Sequence, residues 1–426
     1  MYDEVLDSRT SASKPRGSFR LMFDPSFGVV FWAKFVILTA TWAVTLVTVI
    51  MAYQLTGSAA WAGATGAALM IPQFGLSLLS GRMSDRYGPL RQIVAGSLIS
   101  GVACLGLSSW FAFSDVGPAV NATALLVSSL AFGVGLALSA PAMQSIVPML
   151  VSADELPAAV GLNFVPTTLA RTIGPALGAL AISTLGPTYT LLIFGSSMLL
   201  IVPCFRLVRR HLVMGFGQAK DSRIRGVLRF VWSDKPLLAC LGGVAAIGAG
   251  SEAAVTLSPV IASSLGEPGA GGGVITGAFG LGGLIGVIVH RLMQKRGTPS
   301  IHGCLSMLVL ATTLPLAACG GSLPVVAGLF AIGGAGMVAG ITAFSIAIQL
   351  RCPPEMLGRV MAVWTLAFAG FRPIAAIALG FTADHFSTAA ALLGAGLFTL
   401  VAACWIWISL RQSDVVPPCQ VTTTFG

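Results

Sequence analysis

The sequence predicts an all-α integral membrane protein with twelve transmembrane helices in two pseudo-symmetric six-helix bundles. Three observations predict this class: the composition, the apolar segments and the positions of the basic residues. Of the 426 residues, 55% are hydrophobic and only 9% are charged, whereas soluble proteins carry about 25% charged residues. The apolar surface therefore has to face lipid, which excludes a large soluble catalytic domain and a DNA-binding module.

Twelve apolar segments follow one another, most of them close to or above the roughly 20 residues that a helix needs to cross a bilayer. We number them 1 to 12; they cover residues 27–53, 59–80, 92–113, 120–147, 157–183, 187–205, 237–262, 270–289, 300–318, 324–349, 358–383 and 388–410. The sequence has no G-x-x-x-x-G-K-[ST] run, so the phosphate loop of an ATP-driven pump is not expected.

The basic residues predict the orientation. Of the 24 Lys and Arg, 21 lie in or at the edge of the two tails and the loops that follow even-numbered segments. The other three, Lys34, Arg171 and Arg372, lie inside segments. By the positive-inside rule both termini are cytoplasmic, and we expect the protein in the inner membrane. The net charge of +9 then reflects topology and contact with anionic lipids, with no nucleic-acid partner.

A polar stretch at 206–235 holds 8 of the 24 basic residues, and its RIRGVLRFVW section suits an amphipathic helix on the inner leaflet. The predicted organisation is a tail (1–26), a six-helix bundle (27–205), a basic cytoplasmic linker (206–235), a second bundle (236–411) and a tail (412–426). Arg171 and Arg372 each lie 14 residues past a segment start, a matched depth of about 21 Å that favours an internal duplication.

The loop after segment 2 reads GRMSDRYGPLR from Gly81 to Arg91. Asp85, next to Arg86, can accept hydrogen bonds from helix N-terminal amides or a neighbouring Arg, which would form a latch that breaks when the halves rock. Gly81 permits close helix approach, and Gly88 permits the turn. This loop resembles the signature loop of the major facilitator superfamily and marks a gating element.

A finer resemblance is to an exporter branch of that superfamily, the enterobactin-exporter-like and macrolide-efflux-like carriers. Residues 53–58 read YQLTGS and residues 171–179 read RTIGPALGA, similar to motifs of this branch and to the general antiporter motif. Pro175 kinks a helix, and Gly174 with Gly178 offers a small face for tight helix packing. The resemblance implies a two-bundle carrier that works by alternating access and exports small amphipathic molecules, commonly by proton antiport.

A charged residue inside the membrane is expected to have a function, because placing it at the centre of a transmembrane helix costs an insertion free energy of at least about 2.5–3.5 kcal/mol. Glu252, about 24 Å along segment 7, is the one acidic residue deep in a segment. We expect it to carry the proton; a fixed ion pair with an Arg is the alternative. Arg171 and Arg372 are candidates for binding an anionic substrate, for stabilising ionised Glu252 or for capping backbone carbonyls. Lys34 is expected to snorkel to the inner face.

Seven further polar or aromatic residues are candidates for lining a central cavity, judged by their depth in the membrane and their residue type, and each could equally serve ordinary packing. They are Trp42, Gln73, Phe74, Gln144, Asn163, Gln349 and Trp364. The eight Cys suit packing. His290, His302 and His385 are predicted to lie apart, so we expect no metal site and no cofactor.

The predicted function is a secondary active transporter that exports a small organic compound, such as a drug or a siderophore-like metabolite, against inward proton flow. An enzyme is not predicted, since no nucleophile, base and orienting group occur together. A proton-coupled importer of a small metabolite and a lipid flippase remain open. A non-transporting scaffold is disfavoured, because the tails are short for a signalling domain. The expected partners are a small-molecule substrate, protons and membrane lipids, and the expected state is a monomer.

Overall fold

The structure is a computed structural model. It describes residues 18–146, 150–151, 155, 159, 162–163, 165–200, 202–204, 224–268, 270–293, 297–352 and 356–413. Within these ranges, only the backbone is described for residues 18, 77–79, 81–82, 84–85, 144–145, 168, 224–228, 357–359, 362 and 412–413. The side chains of Asp85 and Gln144 therefore lie outside the described part.

Every regular element in the described ranges is a helix. Each predicted segment overlaps helical residues, although segments 5 and 6 share one helix and segments 7 and 11 are each divided. Segments 1 to 6 correspond to Phe27–Thr56, Ala59–Tyr87, Pro89–Phe113, Pro118–Ser145 and, for 5 and 6 together, Val165–Leu199. Segments 7 to 12 correspond to Lys235–Ser251 with Ala253–Thr256 and Ser258–Ser264, Ala270–Met293, Pro299–Ala318, Leu323–Arg351, Leu357–Gly370 with Arg372–His385, and Thr388–Ser413. Two short helices, Ser18–Leu21 and Ile224–Ser233, precede the first and the second six segments.

Ten helices of the described residues are long and apolar enough to cross a membrane. One of these spans, Val165–Cys204, covers most of segment 5 and of segment 6. The two segments meet at a kink where Gly186 has φ +77°. Segment 2 is not among the ten, although its helix has 29 residues and packs against segment 4 and the second part of segment 11. The twelve-helix, all-α membrane architecture predicted from the sequence is confirmed.

Two expectations about helix continuity were wrong. The loop expected at residues 81–91 is shorter than predicted: the helix of segment 2 continues to Tyr87, and the chain turns at Gly88, where φ is +85°. Segments 7 and 11 are not regular helices throughout, because their helical hydrogen bonding is interrupted at Glu252 and Leu257 and at Phe371, although these three residues keep right-handed helical φ and ψ. Prolines occupy the first turn after two of these interruptions, where their missing N–H costs no hydrogen bond.

The two six-helix halves meet on the side of the molecule opposite the termini. There segment 2 packs against Arg372–His385, and segment 8 packs against segment 5. The first of these contacts is very close: a Cβ on Gly63 would collide with the carbonyl oxygen of Ala376, and a Cβ on Gly380 would collide with that of Ala59. We call the contact between segments 2 and 11 the seam.

A carboxylate closes the end of the seam that lies farther from the termini. Asp384, at the end of segment 11, accepts hydrogen bonds from the amides of Ala59 (2.7 Å) and Ala60 (3.0 Å) and from the Ser58 hydroxyl. It thereby caps the first turn of segment 2, a helix of the other half. Asp384→Asn turns one of the two acceptor oxygens into a donor and removes the negative charge from the start of this helix, a loss of about 1 kcal/mol, so it should lower the ratio of closed to open seam roughly fivefold.

This ratio is measured as the distance distribution between spin labels on Asp115→Cys and Gly321→Cys, two exposed loop positions on the same face in opposite halves. Glu267→Gln is the matched control, because it removes the charge of an exposed carboxylate on the same face but outside the seam. An unchanged distance distribution in Asp384→Asn would show that the cap does not hold the seam.

Candidate functional site

A buried ion pair lies where segments 7 and 11 are interrupted. Nε of Arg372 donates to Oε2 of Glu252 at 2.8 Å, and Glu252 is 0% exposed. Oε1 of Glu252 is buried and has no hydrogen-bond partner among the residues described. Buried polar atoms are almost always satisfied in proteins, so this oxygen is an open acceptor in the site.

The second arginine lies beside the pair and shares its aromatic neighbours. The guanidinium of Arg171 is 5.1 Å from the ring centre of Trp42 and 5.9 Å from that of Phe368. The guanidinium of Arg372 is 5.9 Å and 5.6 Å from the same two rings. Cation–π contacts of this kind are each worth about 0.5–2 kcal/mol. The two arginines therefore lie together, as their matched depths in segments 5 and 11 suggested.

We call Trp42, Arg171, Glu252, Phe368 and Arg372 the central cluster. Its members come from segments 1 and 5 of the first half and segments 7 and 11 of the second, so any relative movement of the halves changes its contacts. With Glu252 ionised, the cluster has a formal charge of +1.

Two neighbours extend the central cluster. The Trp364 ring stacks on Phe368 with centres 5.7 Å apart and planes inclined by 15°. An Arg171 guanidinium nitrogen contacts the Met337 sulfur of segment 10 at 3.2 Å. The aromatic and sulfur surfaces thus surround the arginines with apolar, polarisable groups.

The glycines of segment 5 explain how Arg171 comes to lie beside Trp42. A Cβ on Gly174 would lie 2.7 Å from the Thr39 carbonyl oxygen and 2.7 Å from the Trp42 Cβ, and one on Gly178 would lie 2.9 Å from the Ala43 carbonyl oxygen. Segments 1 and 5 therefore approach backbone to backbone. Pro175 lies inside this helix, between the two glycines.

Lys34 does not snorkel to a membrane face as we expected. Its side chain is 4% exposed, and Nζ donates to the backbone oxygen (2.9 Å) and to Oδ1 (2.7 Å) of Asn163. Asn163, a predicted cavity residue, instead binds this lysine of segment 1. The prediction failed because two oxygens of one residue in a neighbouring segment accept hydrogen bonds from the ammonium group inside the protein.

The other predicted residues lie outside the central cluster. Gln73 donates to Leu69 of its own helix at 3.4 Å, and Gln349 is exposed near the end of segment 10. Phe74 is 41% exposed, on the side of segment 2 that approaches Gly370. In the gating sequence, Arg86 stacks on Tyr87 at 5.3 Å and Arg91 is exposed, while Gly81 lies in the helix of segment 2.

The expectation that the histidines lie apart was wrong for one pair. His290 and His302 are both buried and close enough to interact electrostatically. In the described ranges no three His, Cys, Asp or Glu side chains are grouped to hold a metal ion.

Sequence reasoning missed Phe368, Met337 and Asp384. A signal existed for Phe368, since Trp364, Phe368 and Arg372 follow at intervals of four residues and so share one helix face. No sequence signal identifies Met337, whose position beside Arg171 depends on how the two halves meet.

Comparisons with known proteins agree with the fold. The profile of the Major Facilitator Superfamily matches residues 30–371. The chain is 23% identical over 420 residues to the enterobactin exporter EntS of Escherichia coli O157:H7, covering 94% of this chain and 96% of that protein. It is 28% identical over 399 residues to the multidrug efflux pump Tap of Mycobacterium tuberculosis strain H37Rv, covering 88% and 91%.

Two solved structures share the fold. One is a bacterial homologue of the human lysosomal transporter Spinster in an inward-facing, unoccupied conformation, with a TM-score of 0.73, 13% identity and coverage of 90% of this chain and 97% of that one. The other is the inward-open xylose transporter XylE from E. coli, with a TM-score of 0.65, 11% identity and coverage of 89% and 96%. With the family profile matching most of the chain, the protein belongs to the major facilitator superfamily and is a multi-pass membrane transporter.

Proposed function

We propose that the protein exports a small amphipathic organic compound by alternating access, coupled to inward proton flow through Glu252. The observation that carries this proposal is the buried ion pair of Glu252 and Arg372 in the second half, whose arginine also lies over the Trp42 ring of the first half. Arg372 binds the ionised carboxylate, whereas a protonated carboxyl has lost the charge that holds the pair together. Protonation and separation of the pair are therefore linked.

The proposed location is the inner membrane, with both termini on its cytoplasmic side. The seam, which lies opposite the termini, then closes the outer side. The proposed halves are residues 27–205 and 236–411, joined by the basic linker 206–235. Outward opening would separate Asp384 from the start of segment 2, and the gating sequence around Asp85 would close the inner side.

The proposed direction and cargo rest on two kinds of support. The antiporter-like Gly174, Pro175 and Gly178 lie in segment 5, packed against segment 1, and the names of the two relatives, EntS and Tap, describe an exporter and an efflux pump. A drug or a siderophore-like metabolite is the proposed kind of cargo.

Inside-out membrane vesicles test direction and coupling together. An acidic lumen should drive the accumulation of amphipathic fluorescent compounds, tested as an anionic, a neutral and a cationic dye, and the accumulation should stop when an ionophore dissipates the pH gradient. Vesicles from cells without the protein are the control. If the acidic lumen instead drives a preloaded dye out, the protein is a proton symporter that imports its substrate.

A further inference from the structure

The central cluster contains more positive than negative charge. Arg372 is paired with Glu252, but Arg171 has no carboxylate partner in the part of the chain that is described. The groups in direct contact with Arg171 are two aromatic rings and a thioether, none of which carries a formal negative charge, and the nearby carboxylate of Glu252 is already bonded to Arg372. An ionised group in such surroundings is costly unless a counter-charge or water accompanies it.

A second polar group near the central cluster, the indole N–H of Trp364, also lacks a partner among the described residues. The indole Nε1 of Trp364 is buried and has no acceptor among the described residues, and an indole N–H can only donate. Trp364 lies flat on Phe368, the ring that both guanidiniums contact. The site thus combines a cation, an unpaired N–H donor and flat aromatic surfaces. These features complement a ligand that carries a negatively charged group with hydrogen-bond acceptors on a planar apolar ring.

We infer that the transported substrate is an organic anion, with its negative group on the Arg171 guanidinium and a planar ring on the aromatic surface of Trp42, Phe368 and Trp364. This inference rests on the proposed function. Bound to the central cluster, a monoanion changes the formal charge of the cluster from +1 to zero while Glu252 stays ionised. Export of an anion and entry of a proton both move positive charge inward, so a negative-inside membrane potential drives both.

Met337 allows a test that needs no ligand. Its sulfur is 3.2 Å from an Arg171 nitrogen and its side chain is 1% exposed, and both Glu and Gln are close to Met in size. Met337→Glu supplies a built-in anion in place of the substrate, whereas Met337→Gln changes polarity without charge. We expect Met337→Glu to have a Tm higher than Met337→Gln by about 2 °C or more.

The same comparison in an Arg171→Gln background is the control. There the carboxylate of Met337→Glu has lost its cation, so Met337→Gln should be the more stable of the two. A Tm of Met337→Glu at or below that of Met337→Gln in the presence of Arg171 would overturn the inference, because Arg171 would then have no need of an anion.

A ligand series tests the charge preference directly. We would measure binding of 1-naphthoate, 1-naphthamide and 1-naphthylmethylammonium to the full-length purified protein by equilibrium dialysis. These probes share one ring system and carry charges of −1, 0 and +1. We expect the anion to bind about tenfold more tightly than the amide, a preference lost in Met337→Glu and in Arg171→Gln but kept in Met337→Gln. Equal binding of the three, including no binding, or a preference for the cation would overturn the assignment.

Both measurements are made at equilibrium without any gradient. If neither measurement shows a preference for an anion, proton-driven export of a neutral or cationic substrate remains the proposed function. A failure of the vesicle experiment, in contrast, would leave the anion preference intact and remove only the antiport.

Discussion

Replacement of Glu252 by Gln is expected to abolish transport driven by a pH gradient. The amide cannot take up or release a proton, so the inward flow of protons no longer changes the contact with Arg372. Dye accumulation in acid-loaded inside-out vesicles should fall to the level of vesicles that lack the protein. Transport at the wild-type rate would remove Glu252 from the coupling role.

The structure adds a second effect to this variant. Because Glu252 is 0% exposed and bonds to Arg372 at 2.8 Å, the Gln variant leaves a buried arginine without its counter-charge. Breaking a buried pair in this way costs about 3–5 kcal/mol, so the Tm should fall. A loss of transport by the single variant alone would not distinguish uncoupling from partial unfolding.

The double variant Glu252→Gln/Arg372→Gln separates these causes. It removes both charges, and replacing both partners of a buried pair is often close to neutral for stability. We expect its Tm to recover towards the wild-type value while pH-driven accumulation stays absent. A double variant that is stable and still responds to the pH gradient would show that the pair is only structural.

Gly380→Ala is expected to shift the transporter towards an open seam and to reduce transport severely. A Cβ at this position collides with the backbone oxygen of Ala59 in the other half, so segments 2 and 11 cannot approach as closely as they do here. Backbone cannot move aside as a flexible side chain can. The distance between spin labels on Asp115→Cys and Gly321→Cys should increase, with a smaller population at the closed distance.

Gly328→Ala is the matched control for the seam variant. Gly328 also lies within a helix, and a Cβ there meets nothing within 4 Å. Both substitutions favour the helical state by about 1 kcal/mol, so a weakened helix cannot explain a difference between them. If Gly380→Ala keeps the closed distance and the transport rate of Gly328→Ala, the seam does not need the close approach.

The number and approximate positions of the helices could be predicted because hydropathy is a property of each residue summed over a segment. The interruptions were harder to predict. Pro259 and Pro373 mark the start of helices, but no proline lies at Glu252, where the helix ends after Gly248 and Gly250. A Cβ on Gly248 would collide with the backbone oxygen of Phe368, so the local chain path there reflects a contact with segment 11.

The sequence by itself determined the class of molecule, the twelve segments and the short set of charges inside them, because burying a charge in lipid is costly wherever the helix packs. It also identified Arg171, Arg372 and Glu252 as residues of similar depth. It did not determine which arginine binds Glu252, since depth along a helix says nothing about rotation around it. Only the tertiary structure decided that Arg372 takes the carboxylate and that Arg171 is left on the aromatic rings, because the rotation and breaks of helices from both halves set those distances.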